Sequence, residues 1–197
     1  MKNKLIGVLA AIIVLACVTG LNAQLVPTVT LSGNTIFIIG TDSSDNVSID
    51  ETVSGYIRVR VRTGNTTISR SWRGFEIQGI LCALDDGNDR YENNTDLLDF
   101  VTISSGFNLV FCGDGPSGVQ GGRGTDFILG GDGDDVLSGG FGRDLIIGEG
   151  GRDQLYDFSS ARISGEPFRH DRDADVIIGD RFDRLLVVGP GDYLTIQ

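Results

Sequence analysis

The sequence predicts an all-β protein: a parallel β-roll, or β-solenoid, of nonapeptide repeats with β-rich N- and C-terminal caps. Three observations carry this. Paired glycines recur every nine residues from Gly121, each followed by an aspartate and, two positions further on, an aliphatic residue. That aliphatic position is unbroken across seven successive segments, through Val101, Val110, Val119, Ile128, Leu137, Ile146 and Leu155. Ahead of the repeats, Ile57, Val59 and Val61 alternate with Arg58, Arg60 and Arg62, the period-2 signature of a half-buried strand.

Residues 1–23 read as an export signal. Lys2 and Lys4 form a basic start, Leu5 to Val18 an apolar stretch too short to span a bilayer, and Leu21-Asn22-Ala23 a cleavage site before Gln24. The alternative is that Val14-Leu15-Ala16-Cys17 is a lipoprotein box that leaves Cys17 lipid-anchored; Leu15 fits that box poorly, which favours simple cleavage. Either route places the chain outside the cytoplasm, secreted or on the cell surface. The chain carries 27 acidic against 16 basic residues, and loss of Lys2 and Lys4 leaves 14 arginines, a formal −13. Phosphate binding needs clustered positive charge, so no nucleic-acid partner is expected, and metal cations are the natural counter-ions. Cys82 and Cys112 survive cleavage; an oxidising compartment allows them to pair, and burial as small core residues accounts for them equally well.

Residues 24–83 form the expected N-terminal cap. Strands are read at Val29 to Leu31, Thr35 to Ile39, Val47 to Ile49 and Tyr56 to Arg62, with turns at Ser32-Gly33-Asn34 and Thr63-Gly64-Asn65. Residues 40–49 echo a degenerate repeat, with Asp45 and Val47 in positions six and eight, so this cap is continuous with the roll or packed on it. The arginine stripe Arg58, Arg60, Arg62, near Arg70 and Arg73, reads as a solvated strand face or as charge that blunts a sheet edge; an anionic glycan is the functional alternative.

Residues 84–156 are the repeats, best formed over 121–156 as GGRGTDFIL, GGDGDDVLS, GGFGRDLII and GEGGRDQLY. The same frame extends backwards through segments starting at Cys112, Ile103 and Asn94, and LDDGNDRYE at 84–92 fits with a one-residue slip. Glycines at positions one, two and four permit turns closed to residues with a Cβ. The three residues after the aspartate then make a short strand, with position eight inward and seven and nine outward. Two nonapeptides complete one coil, and coils stack as parallel strands. Position six is Asp126, Asp135, Asp144 and Asp153 in the good repeats and Asp99 in the segment from Asn94, but Asn108 and Ser117 in between.

The tandem GGxGxDxUx pattern over 121–156 resembles the haemolysin-type calcium-binding (RTX) repeat family. The resemblance implies Ca²⁺ between glycine-rich turns on one side of the roll, held by position-six carboxylates and backbone carbonyl oxygens, the hard donors calcium prefers. Because repeats alternate sides, Asp126 should partner Asp144 and Asp135 should partner Asp153, with carbonyls from the turns containing Gly122, Gly124, Gly131, Gly133, Gly140 and Gly142. Asn108 and Ser117 should weaken sites toward the N-terminus, and Glu149 in place of a glycine marks the far edge. Stacked carboxylates repel without a cation between them, which favours metal binding over a metal-free scaffold in which the aspartates serve only as turn residues. Many family members leave the cell by a route that reads a C-terminal signal; the N-terminal signal here points instead to a small secreted or surface-attached module.

On the side built by repeats 103, 121 and 139 the outward residues are Leu109, Phe111, Phe127, Leu129, Leu145 and Ile147, all apolar. Such a face is expected to be covered by the rest of the chain or by a surface polysaccharide or protein partner, and burial of Phe127 and Leu145 within one chain would exclude the partner. Residues 157–197 read as a C-terminal cap with apolar runs at Val176 to Ile178 and Leu185 to Val188. Asp171, Asp173 and Asp175 imitate an EF-hand loop but lack its glycine and glutamate. The chain has one histidine, His170, no HExxH and no GxSxG, so a non-enzymatic role is expected. The enzymatic alternative is a calcium-dependent solenoid lyase or epimerase acting on acidic polysaccharide, with Asp96, Asp99 and the arginine stripe as its site.

Overall fold

A computed structural model of the chain describes residues 26–156, 176–179, 184–187 and 193–196. The export signal with Cys17, His170, and the aspartates Asp171, Asp173 and Asp175 lie outside the described residues. In chain order the strands are β1 (Thr28–Ser32), β2 (Thr35–Ile39), β3 (Asp45–Glu51), β4 (Tyr56–Thr63), β5 (Thr66–Arg73), β6 (Gly79–Asp86), β7 (Arg90–Asn94), β8 (Leu98–Phe111) and β9 (Ser117–Gln120). They continue as β10 (Arg123–Gly131), β11 (Val136–Ser138), β12 (Phe141–Gly142), β13 (Leu145–Glu149), β14 (Gln154–Tyr156), β15 (Val176–Gly179), β16 (Arg184–Val187) and β17 (Tyr193–Ile196).

The coil follows from the two-strand nonapeptide pair. One parallel stack runs β2, β6, the first half of β8, β9, β11, β14 and β16. The other runs β3, β7, the second half of β8, β10, β13, β15 and β17. β8 serves both stacks because it turns the corner at Gly106, whose φ of 129° suits only glycine. Successive coils in the repeats are offset by 18 residues, as Phe127 over Leu145 shows. Arg90 lies over Leu109, an offset of 19, which is the slip read from the sequence. The first coil is built by β2 and β3; β3 pairs with β7 at an offset of 44 residues, because the β4–β5 hairpin is inserted between them. β1 adds to β2 and β4 to β3, both antiparallel.

Alternation places one residue type on each face. The seven position-eight residues are all inside, none more than 3% exposed, and Ile38, Val47, Cys82 and Tyr91 extend the same ladders. Replacing Ile128, at the middle of one ladder, with alanine is expected to cost about 2–5 kcal/mol, read as a drop in the urea midpoint. Cys82 and Cys112 are both free and buried, so the core reading holds for them and the disulfide does not. Burial, with the nearby Asp99 charge, pushes both thiols well up, leaving them unreactive.

The register aligns the outer face of the second stack into columns. One column runs Arg62, Asn46, Arg90, Leu109, Phe127, Leu145, Val176 and Tyr193; its neighbour runs Arg60, Ser48, Glu92, Phe111, Leu129, Ile147, Ile178 and Thr195. The arginine stripe and the apolar strip therefore share one face, and Arg90 marks their boundary, paired with Glu92 at 2.7 Å and 4.6 Å from the Phe111 ring centre. Phe127 and Leu145 are half-buried, so the strip is not sealed within the chain. Arg70 pairs with inward-facing Val59, which puts it opposite Arg58, Arg60 and Arg62, whereas Arg73 stays on their face. Arg73 thus joins the stripe of Arg58, Arg60 and Arg62, and Arg70 does not.

Candidate metal centre

Position six directly precedes a strand at Asp135, Asp144 and Asp153 and lies within β10 at Asp126, and its carboxylate is buried beneath the glycine turn. The structure brings the expected partners together. The backbone N–H of Asp126 donates to Asp144 Oδ1 (2.9 Å), and that of Asp135 donates to Asp153 Oδ1 (3.0 Å). All four aspartates are buried. The same pattern runs back along the chain: Ser117 N–H to Asp135 Oδ1, Asp89 N–H to Asn108 Oδ1 and Asp45 N–H to Asp89 Oδ1, each at 2.8 Å. One carboxylate oxygen per rung thus holds the coil below it, a turn role that accompanies any metal role.

The second oxygen is the one left for a ligand. Asp135 Oδ2 is buried and has no hydrogen-bond partner. Burial pushes the Asp135 carboxyl up to about 7, with the charges of Asp153, Asp99 and Asp134 adding to it against the Ser117 hydrogen bond. Asp126 is better satisfied: Asn108 Nδ2 donates to Oδ1 at 2.9 Å and Gly122 N–H to Oδ2 at 3.4 Å. Burial raises its carboxyl while these bonds lower it. At Asp45 the need disappears, since Thr63 Oγ1 donates to its Oδ1 and Thr41 N–H donates to Oδ2 at 2.6 Å, whereas Asp89 Oδ2 stays buried without a partner.

The position-one glycines have a different cause from the one the pattern suggests. None of Gly121, Gly130, Gly139 and Gly148 has a positive φ. Each instead lies against the position-six carboxylate of its own repeat, at Gly130, Gly139 and Gly148 as the nearest contact of a Cβ; at Gly121 a Cβ would first overlap the carbonyl of Gly139 in the next coil and would sit 3.0 Å from Asp126 Oδ2. Positions two and four behave as expected where φ is positive, at Gly124, Gly131, Gly140 and Gly142. There a Cβ would overlap the carbonyl of the turn one coil below.

These residues fit calcium. Among the described residues no group of three or more His, Cys, Asp or Glu side chains converges, so the donors must be paired carboxylates completed by carbonyl oxygens. Turn carbonyls stack on each side, but at least three of the six expected glycine carbonyls already accept hydrogen bonds between turns: Gly122 from Phe141 N–H, Gly124 from Arg143 N–H and Gly131 from Gly150 N–H. Each keeps its second lone pair for an ion. Asn108 and Ser117 fill position six with neutral hydrogen-bonding groups.

The polysaccharide-cleaving alternative loses one of its residues. Asp99 is 1% exposed and faces inward, where Tyr91 Oη donates to its Oδ2 at 3.0 Å and Asn93 Nδ2 at 2.9 Å. Position six on that stack continues an apolar column, since Asp99 lies over Ile80 and Ile80 over Ile36, so its side chain points into the core and not toward a substrate. Tyr91 and Asn93 have no sequence signal as its partners because they belong to the coil below.

No curated protein and no solved structure matches the chain. Residues 120–155 match the family model of the RTX calcium-binding nonapeptide repeat in four copies, and since such repeats bind calcium ions, this stretch of the solenoid is an RTX calcium-binding β-roll.

Proposed function

We propose that the chain is an exported, non-enzymatic calcium-binding β-roll, a structural or surface-interaction module whose repeats order on binding calcium. The observation that carries this is the buried Asp135 Oδ2, which lacks a hydrogen bond while its own N–H is held by Asp153. A buried carboxylate oxygen without a donor is costly, and a divalent ion removes the cost. Glycine entropy and carboxylate repulsion oppose folding of residues 112–156 without metal, so binding energy becomes folding energy.

RTX repeat proteins are typically extracellular, and extracellular calcium modules bind at about 10⁻⁴–10⁻³ M, which suits a roll that completes its fold after export. Among the described residues no helix is long and apolar enough to cross a membrane. Export through residues 1–23 supports release or, by way of Cys17, surface attachment. The outward strip of Phe127, Leu129, Leu145 and Ile147, continuous with Arg58, Arg60 and Arg62, is the surface for a polysaccharide or protein partner. Calcium titration followed by far-UV circular dichroism tests the reading. A calcium-driven gain of β signal, roughly halved in Asp126→Ala/Asp144→Ala and in Asp135→Ala/Asp153→Ala, is the expected result; a chain fully folded in chelator and indifferent to calcium rules it out.

A further inference from the structure

The two edges of the roll carry the same motif but not the same charge. On one edge the turns 103–108, 121–126 and 139–144 lie in register, with Ser105, Arg123 and Phe141 in one row and Phe107 over Thr125 in the next. On the other edge the turns 112–117, 130–135 and 148–153 stack, since Arg152 N–H donates to Asp134 Oδ1 at 3.0 Å and a Cβ on Gly150 would lie 3.1 Å from Asp132 Oδ1. The first edge holds Asp126 and Asp144 against Arg123 and Arg143, a formal charge of zero. The second holds Asp114, Asp132, Asp134, Asp135, Glu149 and Asp153 against Arg152 alone, a formal −5.

A second difference, independent of charge, concerns the first carboxylate of each pair; the second carboxylates, Asp144 and Asp153, do not differ in this respect. Asp135 Oδ2 is buried with no hydrogen-bond partner, whereas both oxygens of Asp126 accept hydrogen bonds, from Asn108 Nδ2 and Gly122 N–H. An ion entering beside Asp126 must displace or share donors already in place; beside Asp135 it meets an oxygen that nothing else serves.

We infer that the two edges fill with calcium in order, the Asp135/Asp153 edge first and the Asp126/Asp144 edge second. The inference rests on the calcium reading above and adds to it which edge sets each step. The charge difference of five units between the edges, acting on a divalent ion across ~10 Å of screened solvent, corresponds to roughly tenfold in affinity. The strands leaving the weaker edge, β10 and β13, are those that display Phe127, Leu129, Leu145 and Ile147. The apolar strip is therefore completed by the second ion, at the higher calcium concentration.

Isothermal titration of the full chain with calcium chloride tests this. The wild type should show two phases about tenfold apart. Asp126→Asn/Asp144→Asn should keep the tight phase, weakening as salt rises from about 0.05 to about 0.5 M, and Asp135→Asn/Asp153→Asn should keep the weak phase, with little salt dependence. Equal affinities in the two variants, or the reverse order, overturn the inference. Because those variants remove rungs, two surface variants provide a second reading: Arg123→Gln/Arg143→Gln should tighten the weak phase, and Asp132→Asn/Asp134→Asn should loosen the tight one. Phases unmoved by both overturn the ordering alone, whereas a wild-type chain that takes up no calcium overturns the calcium reading itself.

Discussion

Gly142→Ala is expected to lower the stability of the calcium-loaded roll by at least ~3 kcal/mol and to abolish the calcium response of the Asp126/Asp144 edge. Gly142 has a φ of 131°, which strains any residue with a Cβ by about 1–3 kcal/mol. Steric overlap adds a greater cost. A Cβ there would overlap the carbonyl oxygen of Gly124 and lie 2.7 Å from its carbon and 3.1 Å from its nitrogen, so the obstacle is backbone and not a side chain that can swing away. Relief requires the two turns to separate, but β10 and β12 pair residue for residue at Gly124 and Gly142, and Arg143 N–H holds Gly124 O at 3.1 Å. Separation also pulls Asp144 from the Asp126 N–H. Urea unfolding in saturating calcium measures the loss. Thr125→Ala, an exposed change in the adjoining turn, should stay within about 0.5 kcal/mol. A Gly142→Ala midpoint equal to that of the wild type would falsify the stacked-turn account.

The cost at Gly142 comes from contacts between coils, and there the sequence is least informative. The nine-residue period, the inward ladder from Val101 to Leu155 and the same-edge pairing of Asp126 with Asp144 are legible because strand alternation and a two-strand coil leave only one arrangement. The position-one glycines are legible as glycines but not for their reason: the need is space for a carboxylate five residues away and, at Gly121 and Gly130, for the glycine carbonyl of the next coil, through-space contacts with no signature in backbone propensity. Asp89 and Asp45 are legible as position-six residues, but that they join the Asp126 column across offsets of 19 and 44 residues is set by the slip before Asn94 and the inserted β4–β5 hairpin. The partners of Asp99 have the same cause, since the repeat frame puts it at position six but only the coil below supplies Tyr91 and Asn93. Degenerate rungs are thus not empty copies of the motif. Asn, Tyr and Thr side chains serve part of their carboxylate oxygens, both at Asp45 and one at Asp99, while Asp89 Oδ2 and Asp99 Oδ1 stay buried without a hydrogen-bond partner.

Between pH 4 and pH 8 the calcium-free chain is expected to lose stability while its affinity for calcium rises. Burial pushes Asp89 up to about 7 and Asp99 up to about 6, with neighbouring carboxylates reinforcing the shift at Asp89 and hydrogen bonds from Asn93, Ser117 and Tyr91 opposing it at Asp99. An unfolded aspartate titrates near about 3.9. Each group therefore binds its proton more tightly in the folded chain, and the stability linked to that proton is fully present below about pH 4 and is lost as pH rises through about 6 to 7. Asp99, about two units above its unfolded value, contributes ~3 kcal/mol of this dependence. Calcium acts in the opposite sense, because a carboxylate must release its proton to bind the ion. Urea midpoints in calcium-free buffer across this range, set beside calcium titrations at each pH, show whether the two trends cross. Asp99→Asn should flatten the stability profile and leave the calcium stoichiometry unchanged, since Asp99 lies two coils below Asp135, with Ser117 between them. Calcium-free stability that instead climbs from pH 4 to pH 8 would mean that these acids are charged in the folded chain, held by donors other than those the coils provide.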